Sequence, residues 1–331
     1  MRIGIPREVK DGECRVALTP HSVGGLSVIV EPGAGAGVGF SDEEYVRNGA
    51  TLGDPWECEV VAKVKEIQPA EFGRPRRGQI VLGFDQFAAN RPLLDAALAS
   101  GATFISYNTV GRQRGESPIL APMSAIAGRL AVQIGAWCLQ KQNGGSGVLL
   151  SGYDGVPPGK VAILGAGHVG ANALHVAHGI GADVTVYART NRRFSPLEAK
   201  YPNATFRTGN PSIEDTDLII AGVFTPGSAS PKLITRAMLR AMRPGSALVD
   251  VGIDQGGIAE TSRLTSHSAP IYIEEGVVHY GVANVPAATP RTASLALERA
   301  VLPYVRMLAT GEMDEDLKAG VAVSDGKRVA R

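Results

Sequence analysis

Cysteine is scarce in this chain: Cys14, Cys58 and Cys138 lie far apart and without CxxC spacing. That argues against a disulfide scaffold and fits a reduced, cytoplasmic compartment. Long apolar runs are absent too, so no segment reaches the roughly 18 residues needed to span a bilayer. The charged opening MRIGIPREVKDGECR does not read as a signal peptide. Neither sign of charge dominates, with 33 Lys and Arg against 32 Asp and Glu. This balance leaves no electrostatic footprint for nucleic acid or for an anionic membrane. Aromatic residues make up only 5%, whereas 41 Gly and 21 Pro point to many tight strand-to-helix turns. With 331 residues, 44% of them hydrophobic, the chain is long enough for two ordinary domains with a cleft between them.

The N-terminal third alternates apolar runs at 2–6, 27–32, 60–66, 79–84 and 103–108 with helical stretches, the clearest being RPLLDAALASG at 91–101. A second series of runs follows at 161–165, 183–188, 217–222, 246–252 and 276–282. Strands alternating with helices predict parallel sheets flanked by helices. Two long helical patterns, 124–142 and 291–310, separate and close these blocks. The expected fold class is α/β, with two Rossmann-like, doubly wound parallel-sheet domains. Residues 1–123 and 291–331 are read as the substrate domain, and 124–290 as the dinucleotide-binding domain. The tail SDGKRVAR is expected to be loose.

The segment VAILGAGHVGANA sets Gly165, Gly167 and Gly170 in a G-x-G-x-x-G run between an apolar strand and a helix. The first glycine permits the tight turn, the second lets a pyrophosphate approach the backbone, and the third lets helix and strand pack closely. With His168 and Val169, they present the N–H groups of a helix N-terminus to phosphate. An NAD site usually carries an acidic residue at the end of the second strand. Here Ala188 stands there, followed by Arg189, Thr190, Asn191, Arg192 and Arg193. Guanidinium groups grip a 2′-phosphate that a carboxylate would repel. NADP(H) is therefore the preferred cofactor, and NAD(H) stays open if the arginines form an ordinary solvated loop. His175 and His178 stand at i, i+3 without a Cys or carboxylate partner in the pattern, so they read as packing residues and no metal is expected.

Ligands of parallel sheets sit beyond the carboxyl ends of the strands. Arg7, Lys65, Asp85, Gln86 and Asn108 fall at such ends in the first block, with Arg15 close behind, and Asp254 falls at one in the second. Cations there would hold a carboxylate or carbonyl, and a carboxylate could move protons. The stretches MRIGIPREVKDGECRVALTP, VAKVKE, LAPMSAIAGRLAVQIGAWCLQKQNGGSGVLL, KVAILGAGHVGANA, SALVDVGIDQGG and VANVPAATPRT extend this pattern over about residues 1 to 310. Together they resemble the alanine dehydrogenase family, which includes the NAD-binding part of nicotinamide nucleotide transhydrogenase. The resemblance implies hydride transfer linking an amino acid to its 2-oxo acid, and a homo-oligomer, either dimer or hexamer. It implies that Arg15 holds the substrate carboxylate, Lys65 its carbonyl oxygen or imine, and Asp254 the acidic position at the reaction centre. Ser124, the glycine loop and Asn284 would line the cofactor.

Three departures qualify the resemblance. Gln86, in FDQFA, stands where the family carries its catalytic histidine, and an amide cannot exchange a proton near neutral pH. Ala188 replaces the family's ribose-binding Asp, and Asn108, read as substrate-binding, replaces a glutamate. The expectation is thus an NADP(H)-dependent oxidoreductase acting on the C=N or C=O of a small 2-imino or 2-oxo acid, as a specialised biosynthetic reductase. Asp85 or Asp254 would take over proton transfer; alternatively, Asp85 only caps the following turn. Plain NAD-dependent alanine dehydrogenase activity, and a nucleotide-binding protein without catalysis, remain the rival readings.

Overall fold

The computed structural model describes residues 1–223 and 230–329. The chain forms two compact units, Met1–Met123 with the segment from Thr289 onward, and Ser124–Ala288. In the first unit β1 (Ile3–Ile5), β2 (Val28–Val30), β3 (Thr51–Leu52), β4 (Val60–Lys65), β5 (Ile80–Phe84) and β6 (Thr103–Ser106) run parallel. Their apolar runs are continuous rather than alternating, as expected of strands covered on both faces. Helix α1 (Asp42–Arg47) starts on a capping box made by Ser41 and Glu44, and α2 (Arg91–Ser100) starts on the Asn90 side chain, which accepts from Leu93 N–H. α2 buries Leu93, Leu94 and Ala97 against Val81, Phe87 and Phe104.

Helix α3 (Leu120–Cys138) leads into the second unit. There β7 (Lys160–Leu164), α4 (His168–Gly179), β8 (Asp183–Ala188), α5 (Phe194–Lys200), β9 (Thr205–Thr208), β10 (Leu218–Ala221), α6 (Arg236–Ala241) and β11 (Ala247–Asp250) alternate. β12 (Ile271–Glu274) and β13 (Val277–Tyr280) follow, and the sheet order is β12-β13-β11-β10-β7-β8-β9. Taken in chain order, its six parallel strands read 3-2-1-4-5-6, the doubly wound nucleotide-binding order, with β12 added antiparallel on the edge. Two apolar layers cover the faces, one centred on Ile163, Val186 and Ile220 and the other on Leu164, Ile219 and Leu248.

The chain returns to the first unit through α7 (Pro290–Ala309), whose buried stripe is Leu297, Val301, Tyr304, Val305 and Leu308. Its Glu298 accepts from Thr19 N–H at 2.6 Å and its Ser294 hydroxyl from Val16 N–H at 3.1 Å, fixing the loop that carries Arg15. After α8 (Glu315–Gly320), the tail departs from the expectation of looseness. β14 (Val321–Ser324) pairs antiparallel with β6 and turns into β15 (Lys327–Arg328), giving the order β15-β14-β6-β5-β4-β1-β2-β3. Asp325 and Gly326 both take positive φ (50° and 72°), the conformation of a two-residue hairpin turn. Val323 is fully buried in the Phe87–Phe104 cluster. The Asp-Gly pair between short runs was the available signal.

Close backbone approach shapes the second unit. A Cβ at Gly128 of α3 would lie 2.1 Å from the Val169 carbonyl oxygen, so only glycine lets α3 sit against the first turn of α4. Gly128→Ala should push these helices apart and cost about 1–3 kcal/mol, read as a lower urea midpoint. An unchanged midpoint would show that α3 can give way there.

Candidate active site

The turn after β7 is shaped by close backbone approach. Gly165 takes φ 104°, closed to side-chain-bearing residues, and a Cβ at Gly170 would lie 1.7 Å from the Gly165 carbonyl oxygen. Gly167 occupies the N-cap position before α4, and no side chain caps that end. The N–H groups of His168, Val169 and Gly170 are thus those that a helix leaves without internal partners, and a phosphate fits them. Ala188, half-buried, ends β8 beside Thr208. Arg189, Thr190, Arg192 and Arg193 beyond it are exposed, and none of these arginines pairs with a carboxylate among the described residues. The Arg193 guanidinium reaches to 3.4 Å from where a Gly167 Cβ would stand, which puts a cation over the glycine loop.

In the first unit the strand-end residues gather around β4. The β4–β5 register shifts between Ala62 and Lys65, setting Lys65 opposite Phe84. β1 has already ended at that level, so the N–H groups of Val64 and Lys65 need another acceptor. The Glu8 carboxylate takes both, at 2.6 and 3.4 Å. Lys63, two residues before Lys65 on β4, is fully buried with its ammonium 3.4 Å from Glu8 and 2.8 Å from Glu71. Burial alone would lower the Lys63 pKa, but the two carboxylates prevail and hold it above its usual value. Burial pushes the Glu8 carboxyl upward against the opposing pull of Lys63. Glu66 is driven up by burial and down by Lys65 and Lys10, with a net shift downward. Tyr107, edge-on to Phe84 at 5.2 Å, is buried with its hydroxyl unpartnered among the described residues, and burial with Glu8 nearby raises its pKa.

Asp85, Gln86 and Asn108 form one local assembly. Asn108 Nδ2 donates to the Asp85 carbonyl at 2.9 Å, joining the ends of β5 and β6. Asp85 Oδ1 accepts from Phe87 N–H at 3.4 Å, and the Gln86 carbonyl accepts from Ala89 and Asn90 N–H. This turn buries Phe87 and leaves the Gln86 side chain exposed. Lys65 and Asp85 line the same small cavity, about 20 Å³. Arg15 is buried, with its guanidinium on both Glu13 oxygens at 2.7 and 2.5 Å and on Met123 Sδ at 3.3 Å. Arg7 stays outside this group, exposed, with its backbone N–H bonded to Glu31.

In the second unit Asp254 is exposed on a short 3₁₀ turn, Ile253–Gln255, after β11. The buried carboxylate of that edge is Asp250, which accepts from Ile258 N–H at 2.8 Å and from the Ser262 hydroxyl at 2.5 Å. Burial pushes its pKa up, and these bonds offset part of the rise. Asn284 sits at φ 57°, a left-handed conformation that asparagine tolerates better than most residues. Ser124 is half-buried in α3. His175 and His178 pack on Tyr201, with His175 Nδ1 3.2 Å from its hydroxyl.

Two family models cover this architecture: Alanine dehydrogenase/PNT, N-terminal domain, over residues 4–127, and Alanine dehydrogenase/PNT, C-terminal domain, over 131–331. The chain belongs to this family. It is an alanine dehydrogenase-like, NAD(P)-dependent oxidoreductase with a nucleotide-binding Rossmann fold. It is 45% identical to the alanine dehydrogenase of Halomonas elongata over 353 aligned residues, covering 100% of this chain and 95% of that one. It is 42% identical to the alanine dehydrogenase of Bacillus subtilis, covering 100% and 91%. A solved L-alanine dehydrogenase superposes with a TM-score of 0.96 at 42% identity, covering 99% of this chain and 97% of that one. The transhydrogenase of Sinorhizobium meliloti superposes at 0.86 with 25% identity, covering 99% and 100%. Among the described residues no helix is long and apolar enough to cross a membrane.

Sequence reasoning missed the buried polar residues around β4 and Arg15. Glu8, Glu13, Lys63, Glu71 and Tyr107 are all buried. A lysine inside the apolar run VVAKV was a legible signal, because a buried cation requires a carboxylate partner. Lys63→Ala would leave Glu8 and Glu71 buried without their cation. A loss of about 3–5 kcal/mol is expected by chemical denaturation, and a loss under 1 kcal/mol would show that the carboxylates do not depend on it.

Proposed function

We propose that this protein is an NADP(H)-dependent reductase of a 2-imino or 2-oxo acid, or a related small substrate, with a specialised biosynthetic role. The observation that carries the reading is Gln86: an amide, exposed on the turn after β5, where the family's catalytic histidine is expected. When bound, a nicotinamide dinucleotide supplies or accepts the hydride. Residues 124–290 would hold it, through Gly165, Gly167, His168, Val169 and Gly170 at the diphosphate, with Ser124 and Asn284 as further contacts. Arg189, Thr190, Arg192 and Arg193, after Ala188, would take the 2′-phosphate, and the absence of carboxylate partners for these arginines among the described residues supports that role.

Residues 1–123 and 291–331 would hold the substrate. Arg15, oriented by Glu13, is the cation for the substrate carboxylate. Lys65 polarises the C=N or C=O, and Asn108 orients the turn that bears Asp85. Oxidative deamination needs proton transfers to form and collapse a carbinolamine, and losing the histidine costs such a path about 10²–10⁴-fold. A preformed imine needs one proton, within the capacity of Asp85 or Asp254. A cytoplasmic homo-oligomer, dimer or hexamer, completes the reading, supported by three free cysteines and by the family. The second reading, NAD-dependent oxidation of alanine, is supported by the 45% identity to a protein named alanine dehydrogenase.

A screen of NADPH and NADH oxidation with 2-oxo acids, with and without ammonia, and with cyclic imines separates the two. We expect kcat/KM for NADPH to exceed that for NADH by about tenfold or more, since a bidentate charge-assisted contact is worth 1.5–3 kcal/mol. A clear NADH preference with pyruvate and ammonia establishes the second reading instead. Gln86→His should create or raise ammonia-dependent turnover of pyruvate. No gain over the parent would show that the site lacks more than the histidine.

A further inference from the structure

The basic residues of the second unit fall into two groups. Lys160 pairs with Asp215, Arg236 and Arg240 with Glu275, and Arg243 with Asp217. Arg129 and Lys200 have no such carboxylate among the described residues, yet they converge. With Asn172, His175 and Tyr201 they line a cavity of about 180 Å³ between α3, α4 and the end of α5, and no acidic residue lines it. Lys200 lies over the Tyr201 ring at 5.4 Å, and the Tyr201 hydroxyl is 3.2 Å from His175 Nδ1. The two cations, Arg129 and Lys200, repel each other unless an anion is present, and together with the imidazole and the phenol they supply donors to bind one.

We propose that this cavity binds a compact polyanion, a phosphate or a polycarboxylate, separately from the dinucleotide, and that its occupancy is coupled to dinucleotide affinity. The size limits the ligand. At about 30 Å³ per water the cavity has room for roughly six waters, the scale of pyrophosphate or citrate and too small for a second dinucleotide. The coupling path is short. Arg129 Nε donates to Asn172 Oδ1 at 2.9 Å, and Asn172 Nδ2 donates to the His168 carbonyl at 2.9 Å. His168 opens α4 beside the glycine loop, and Gly128, the neighbour of Arg129, is the residue that lies against the Val169 carbonyl. An anion that immobilises Arg129 therefore braces the turn that receives the diphosphate. By linkage, each ligand raises the affinity of the other by the same factor.

Calorimetric titration of the NADPH-saturated protein with inorganic pyrophosphate, and separately with citrate, tests the site; saturation keeps pyrophosphate off the glycine loop. We expect saturable binding of at least one anion, weakened about tenfold or more by Lys200→Ala and Arg129→Ala and unchanged by Lys141→Ala, outside the cavity. Pyrophosphate alone identifies a phosphate ligand, and citrate alone a carboxylate one. The anion should tighten NADPH binding about fivefold, at the low end of allosteric couplings, and Arg129→Ala should remove that effect. No saturable binding of either anion, or equal binding by the Lys200→Ala protein, overturns the site. Binding without any change in NADPH affinity overturns the coupling.

Discussion

A lysine ammonium inside a sheet must have carboxylates beside it, and in the first unit this requirement organises everything around β4. Lys63 draws Glu8 from the segment after β1 and Glu71 from the loop after β4 into the same buried space. Glu8, so placed, also closes the two backbone N–H groups that the sheet leaves open at the end of β4. The polypeptide that carries Lys65 is therefore fixed through its main chain. A second buried pair, Arg15 with Glu13, follows the same logic: the carboxylate supplies both compensation and orientation.

The second unit obtains its precision from missing side chains instead. Gly165, Gly170 and Gly128 let strand, turn and two helices meet at backbone distance. Because the helix N-terminus is uncapped, its N–H groups are left for an external anion. Charge then grades outward, from main-chain dipoles at the glycine loop to the guanidinium groups after Ala188 and on to Arg129 and Lys200.

Much of this was legible in the sequence. The ten strand runs marked in the sequence all contain strands, and the glycine motif falls at the strand-turn-helix junction it implies. What escaped was of two kinds. Edge strands such as β3, β9 and β12 are short or polar, and their pairing is decided by neighbours rather than by their own pattern. Buried ionic partners also escaped, because Glu8 and Glu71 look like surface residues until Lys63 is recognised as a core position. The tail misled for a related reason: its polar Asp325-Gly326 pair is a hairpin turn, and Val323 is the residue that anchors it.

The first unit is assembled from both ends of the chain, with β6 in its N-terminal part and β14 near the end. A ribosome releases these strands separated by the whole of the second unit. While β6 waits, its outer edge carries open main-chain groups, the kind of template on which strands of other molecules add. The second unit is continuous and can close as soon as it emerges, whereas the first must be held unfinished until Val323 appears. Order of synthesis thus makes Val321–Ser324 the lock on a sheet begun with Ile3–Ile5.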